Sequence, residues 1–230
     1  MDITALLGWT ALPLLMSDIH FGHIIKVTVI LGRIIALHNQ LHVSPFADSF
    51  DKEATALECA LDCLQGLIAQ NPNGYKLDNP YRVWLFILLQ TCRTLLHHPL
   101  DQEKQSSFRA ASGKVSGSIG FERCEEASRA LFQITRQLQN PTSESLMNPF
   151  IVASFFIGAS ILCISRACGD SFRGAENVRS LIEAVDVIGS RYHGISMKYR
   201  RAIMRNLTRD EKDLESMRIG SGNYLDVYCD

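Results

Sequence analysis

Apolar positions recur along this chain at helical spacing, and the breaks between them fall at Asn-Pro and Gly. Ser17 to His42 carries Phe21, Ile24, Ile25, Thr28, Ile35 and Leu37, which predicts a helix opened by a Ser or Asp cap. The β-branched stretch Val27 to Ile30 offers a strand as the competing reading, but no hairpin turn flanks it. Lys52 to Gln70 places Leu57, Ala60, Leu61, Leu64 and Ile68 on one stripe, and Asn71-Pro72-Asn73-Gly74 then breaks the chain.

Asn79-Pro80 sets a capping residue before a proline suited to the first helical turn. Tyr81 to His98 follows, apolar nearly all round, and is expected at the centre of the fold. Asp101 to Gly120 is rich in Ser, Gly, Gln and Lys and predicts a mobile loop, because it offers little surface to bury against its ordering entropy. Phe121 to Gln139 places Phe121, Cys124, Ser128, Leu131, Ile134 and Leu138 on one side of a helix. Asn148-Pro149 starts a further helix ending near Cys168. Ala175 to Ile188 then aligns Val178, Leu181, Ile182, Val185 and Ile188, with Gly189 closing the turn. A last helix, Ser190 to about Arg209, carries Tyr192, Ile195, Tyr199, Ile203 and Leu207, and the remainder to Asp230 reads as a polar tail.

Every element so predicted is a helix, so the expected fold is an all-α multi-helix bundle in a single domain over 17–209. Residues 1–16 read as the N-terminal segment of a truncated domain, and 210–230 as a C-terminal tail. With 230 residues and 47% of them apolar, the chain has material for a sizeable core. A formal charge of -1 gives no bulk attraction to nucleic acid. Seven cysteines, odd in number and set in helical patterns, suit a reducing compartment and the role of small buried hydrophobes. The uncharged run from Pro149 to Ser165 is slightly short for a membrane span and contains Ser and Gly, so a buried core helix is favoured over an anchor.

Candidate chemistry is sparse. His20 with His23, and His38 with His42, could each present two imidazoles on a helix, but no third ligand is evident and no metal site or cofactor is expected. No short Cys-x-x-Cys pairing occurs. Ser112 to Ser118 contains neither a nucleophile elbow nor a phosphate loop, and the chain is read as non-enzymatic. From Arg191 to Arg209 there are six basic residues and no acidic one: Arg191, Lys198, Arg200, Arg201, Arg205 and Arg209. They are the candidate contacts for nucleic acid or a partner, although Asp210, Glu211, Asp213 and Glu215 follow at once, which favours a solvated face.

Four boxes, in order, resemble the C-terminal half of the middle homology region of fungal zinc-cluster transcription factors. The first is Ser17-Asp18-Ile19-His20-Phe21 leading to Ile30-Leu31-Gly32-Arg33-Ile34, and the second is Thr94-Leu95-Leu96-His97-His98-Pro99-Leu100. Cys124-Glu125-Glu126-Ala127 with Ile134, and then Asn148-Pro149-Phe150, complete the set. His98 stands where the family has Arg, Ser128 falls one place late for the second small residue of the Cys124 box, and the six-cysteine zinc cluster is absent.

The resemblance implies an all-helical regulatory domain of a nuclear transcription regulator. Such a domain acts through contacts with transcription machinery or regulatory proteins, or through a small-molecule effector, and a homodimer is a candidate assembly. It would reach DNA only through a separate module, with no membrane involved. The alternatives are a membrane-associated helical protein anchored by 149–165, and a stand-alone helical interaction protein.

Overall fold

The computed structural model describes residues 19–43, 49–70, 80–97, 116–137, 149–167, 171–189 and 192–208. Among these residues the elements are helices without strands: α1 (Ile19–Val43), α2 (Ser49–Gln70), α3 (Pro80–His97), α4 (Ser116–Gln137), α5 (Pro149–Ala167), α6 (Ser171–Gly189) and α7 (His193–Thr208). The fold class is all-α, and the competing strand at Val27 to Ile30 is helical. Two compact units divide the chain, Met1–Lys76 and Leu77–Asp230. The span 17–209, expected as one helical domain, contains the helices of both.

In the first unit α1 packs against α2. Val27, Ile30, Ile34 and Leu37 form the buried face of α1, and Leu57, Leu61, Leu64 and Ile68 that of α2. The stripe expected on α2 is therefore the observed one. The face expected on α1 is not: Ile25 and Ile35 are exposed, as is Thr28. This helix is apolar on most of its circumference, so periodicity alone has little power to choose a side. Arg33 donates from Nε and from its terminal nitrogen to Glu53 Oε1, joining the two helices at the edge of the packed face.

The second unit is built around α5, which packs on α3, α4, α6 and α7. Ile151, Val152, Phe155, Phe156, Ala159, Ile161, Leu162 and Ile164 are all buried there. The uncharged run thus occurs as a core helix covered by its neighbours, and among the described residues no helix is long and apolar enough to cross a membrane. The central place expected for 81–98 belongs within this unit to α5, whose residues 149–165 carry no charge, whereas α3 carries Arg82 and Arg93. Even so α3 is deeply buried, and its Thr91 and Thr94 hydroxyls are satisfied by donating to the Ile87 and Gln90 carbonyls one turn back.

Small residues set the closest approaches. A Cβ on Gly158 of α5 would lie 2.9 Å from Leu131 Cδ1 of α4, and one on Gly189 would lie 3.1 Å from Ser196 Cβ of α7. The α6 to α7 turn is tied by Tyr192 N donating to the Ile188 carbonyl at 3.0 Å. Val178, Leu181, Ile182, Val185 and Ile188 line the buried face of α6, as their spacing predicts.

The start of one helix differs from expectation. Helix α4 begins at Ser116, inside the segment 101–120 expected as a loop. Once a patterned helix has nucleated, each residue added to its end gains a backbone hydrogen bond, while Ser and Gly cost at most about 1 kcal/mol each. Residues 101–115 lie outside the described residues, as do 1–16 and the 210–230 tail.

Candidate functional site

Three of the four boxes lie in the second unit, and two of them touch. Helix α3 ends in the Thr94 box and α4 carries the Cys124 box. The Cys124 thiol donates to the Thr94 carbonyl at 3.2 Å, while Ser128 Oγ donates to the Cys124 carbonyl at 2.8 Å. Thr94, Cys124 and Ser128 are each fully buried. The carbonyl of Thr94 sits in the last turn of α3, where helix carbonyls run out of intrahelical donors, so a thiol from the next helix satisfies a group that would otherwise be costly to bury.

Ser128 thereby satisfies its buried hydroxyl on the carbonyl of the cysteine one turn before it. Leu96 is buried and Leu95 half-buried. In the third of these boxes Pro149 opens α5, as its place before the helical run predicts, and Phe150 beside it is 74% exposed. Asn148 and His98 lie outside the described residues.

Burial pushes the Cys92 thiol up to about 12 and raises that of Cys124 further. Both are held as neutral thiols at physiological pH, poor nucleophiles and poor metal ligands. They join Cys163 as small buried side chains, in line with the role expected for the cysteines. Cys59 and Cys63 depart from it: both are free and exposed. The stripe Leu57, Leu61, Leu64 and Ile68 occupies the opposite side of α2, and a helical wheel of that stripe already places residue 59 across from it.

The basic residues of α7 are only partly gathered. Lys198, Arg201 and Arg205 are exposed at spacings of three and four residues, which puts them on one face. Arg200 is turned elsewhere: its Nε lies 3.0 Å from Asp186 Oδ1 and 3.2 Å from Oδ2 on α6. Arg191 and Arg209 lie outside the described residues.

The buried side of α7 is the one expected, with Ile195 the exception. Ser196, Ala202, Ile203 and Asn206 are inside, whereas Ile195 is 43% exposed. Asn206 Nδ2 donates to Ser160 Oγ at 3.0 Å, and that hydroxyl donates in turn to the Phe156 carbonyl at 2.9 Å. Tyr199 lies against Phe156 with ring centroids 5.3 Å apart. An asparagine within helical spacing signals such a link only if the partner serine on α5 is also suspected, and a hydrophobic pattern is blind to both.

No group of three or more His, Cys, Asp or Glu side chains among the described residues is placed to hold a metal ion. His38 is half-buried on α1. An open cleft of about 370 Å³ runs along the outer side of α4, lined by Glu122, Glu125, Glu126, Arg129, Ala130 and Gln133. Arg129 is paired there with Glu125 one turn away. Compared with known proteins, the chain matches no family model, no curated protein and no solved structure.

Proposed function

We propose that the chain is a regulatory helical domain of a nuclear transcription regulator of the fungal zinc-cluster kind, acting through protein contacts rather than by reading DNA itself. The observation that carries the reading is the Cys124 thiol bound to the Thr94 carbonyl, which makes two boxes with this resemblance a single packed junction between successive helices. In this reading the boxes are structural: they hold α3, α4 and α5 in register, and regulation is exerted by what the bundle displays. Partners are transcription machinery or regulatory proteins, with a small effector as a further input and a homodimer as a candidate assembly. DNA is reached through a separate module, and the Lys198, Arg201 and Arg205 face of α7 adds at most a weak phosphate contact.

The test is to join the chain to a heterologous DNA-reading domain bearing an activation segment, in a fungal nucleus, and to measure reporter output. The chain is expected to shift output, up or down, relative to the reading domain with its activation segment alone. Unchanged output from a folded, nuclear fusion would contradict the proposal.

A further inference from the structure

The exposed thiols of α2 have no part in packing. Cys59 and Cys63 are one helical turn apart on the solvent side, both free. Side chains at this spacing have Cβ atoms roughly 5–6 Å apart. That exceeds the roughly 3.5–4.5 Å of a disulfide, so the two sulfurs cannot bond to each other without distorting the helix. It does suit a single thiophilic atom bridging between them, because each Sγ can lean toward the other by rotation about its own Cα–Cβ bond.

The number of donors narrows the ligand. A tetrahedral zinc ion needs four ligands, and no third His, Cys, Asp or Glu among the described residues completes such a group. A trivalent arsenic bearing one organic substituent has two exchangeable positions, and two thiols complete it. Space for the substituent is present as well. Leu67, one turn beyond Cys63, is 43% exposed, and among the described residues nothing lies within 4 Å of where a Cβ on Gly66 would stand.

We propose that Cys59 and Cys63 form a bidentate dithiol site for mono-organic trivalent arsenicals, a site independent of the regulatory reading above. The reaction is a condensation. Two arsenic–oxygen bonds of the hydrated arsenical break and two arsenic–sulfur bonds form. The two thiol protons leave with the oxygens as two molecules of water, and arsenic remains trivalent. Closing the second bond is intramolecular, so the pair binds far more tightly than either thiol alone.

Phenylarsine oxide added to the full chain tests this by intact mass and by mapping which cysteines become protected from alkylation. One arsenic per chain, with Cys59 and Cys63 both protected, is expected. Cys59→Ser and Cys63→Ser should each weaken binding by about a hundredfold. The double variant Thr55→Cys/Cys63→Ser, which moves the same spacing one turn back to residues 55 and 59, should restore it. Protection of other cysteines, wild-type affinity in either single variant, or failure of the displaced pair to restore binding would each overturn the proposal. Helical circular dichroism unchanged across the exposed-site variants ties any loss to the thiols rather than to folding.

Discussion

Gly158 fixes how closely α5 approaches α4. In an exposed helix, replacing Gly by Ala gains about 1 kcal/mol of helix propensity. Here the added Cβ would stand 2.9 Å from Leu131 Cδ1, and Leu131 is itself fully buried, so its side chain has little room to swing aside. Overpacking of this kind costs about 1–3 kcal/mol, which offsets the propensity gain. Gly158→Ala is therefore expected to leave the urea midpoint unimproved, and Gly158→Leu to lower stability by about 3 kcal/mol at unchanged slope. A clear stabilisation by alanine would show that the two helices are not in this contact.

The buried thiols add a pH signature at the same scale. An unfolded chain releases the Cys92 proton near pH 9, whereas the folded chain holds it until about 12. The unfolded state binds fewer protons in that interval, so stability is full below pH 9 and declines as pH rises toward 12. The slope is about 1.4 kcal/mol per pH unit for each thiol so placed. Denaturation midpoints measured from pH 8 to pH 11 are expected to stay level and then fall. In Cys92→Ala the fall should be shallower than in the unaltered chain, whatever the substitution does to stability at pH 8.

Helix existence was legible in the sequence because seven segments repeat apolar residues at helical spacing and several stop at Asn-Pro or Gly. Faces were legible only where one side is plainly polar. On α2 and α6 the stripe read from spacing is the stripe that packs. On α1, apolar nearly all round, it is not, and on α7 Ile195 is exposed while Asn206, three turns on along the same side, is buried against Ser160. The small residues at the crossings, Gly158, Gly189 and Ser196, carry no hydrophobic signal at all. The same limit applies to the basic stretch, since sequence counts six cations while the fold commits Arg200 to Asp186. A mobility shift with the chain alone is accordingly expected to show at most weak binding that fades with salt and does not discriminate among sequences. Lys198→Ala/Arg201→Ala/Arg205→Ala should weaken it further, and tight, sequence-specific binding would refute a domain that leaves DNA reading to another module.

At the scale of the molecule, one unit pairs α1 with α2 and the other packs four helices about α5. The boxes fall in both, and in the second the Cys124 thiol meets the Thr94 carbonyl. That contact joins residues thirty positions apart. No local pattern reveals it, because a cysteine in an apolar stripe reads the same whether or not its thiol has a partner. The order of the boxes was readable; the contact between two of them required the packed structure. The most direct measurement of the central claim is reporter output from the tethered chain beside the same fusion carrying Gly158→Leu. A shift by the unaltered chain that Gly158→Leu diminishes is the expected result, since regulation would then depend on the packed second unit. An unaltered chain that leaves output unchanged, or a shift of equal size from a variant shown to be unfolded, would contradict it.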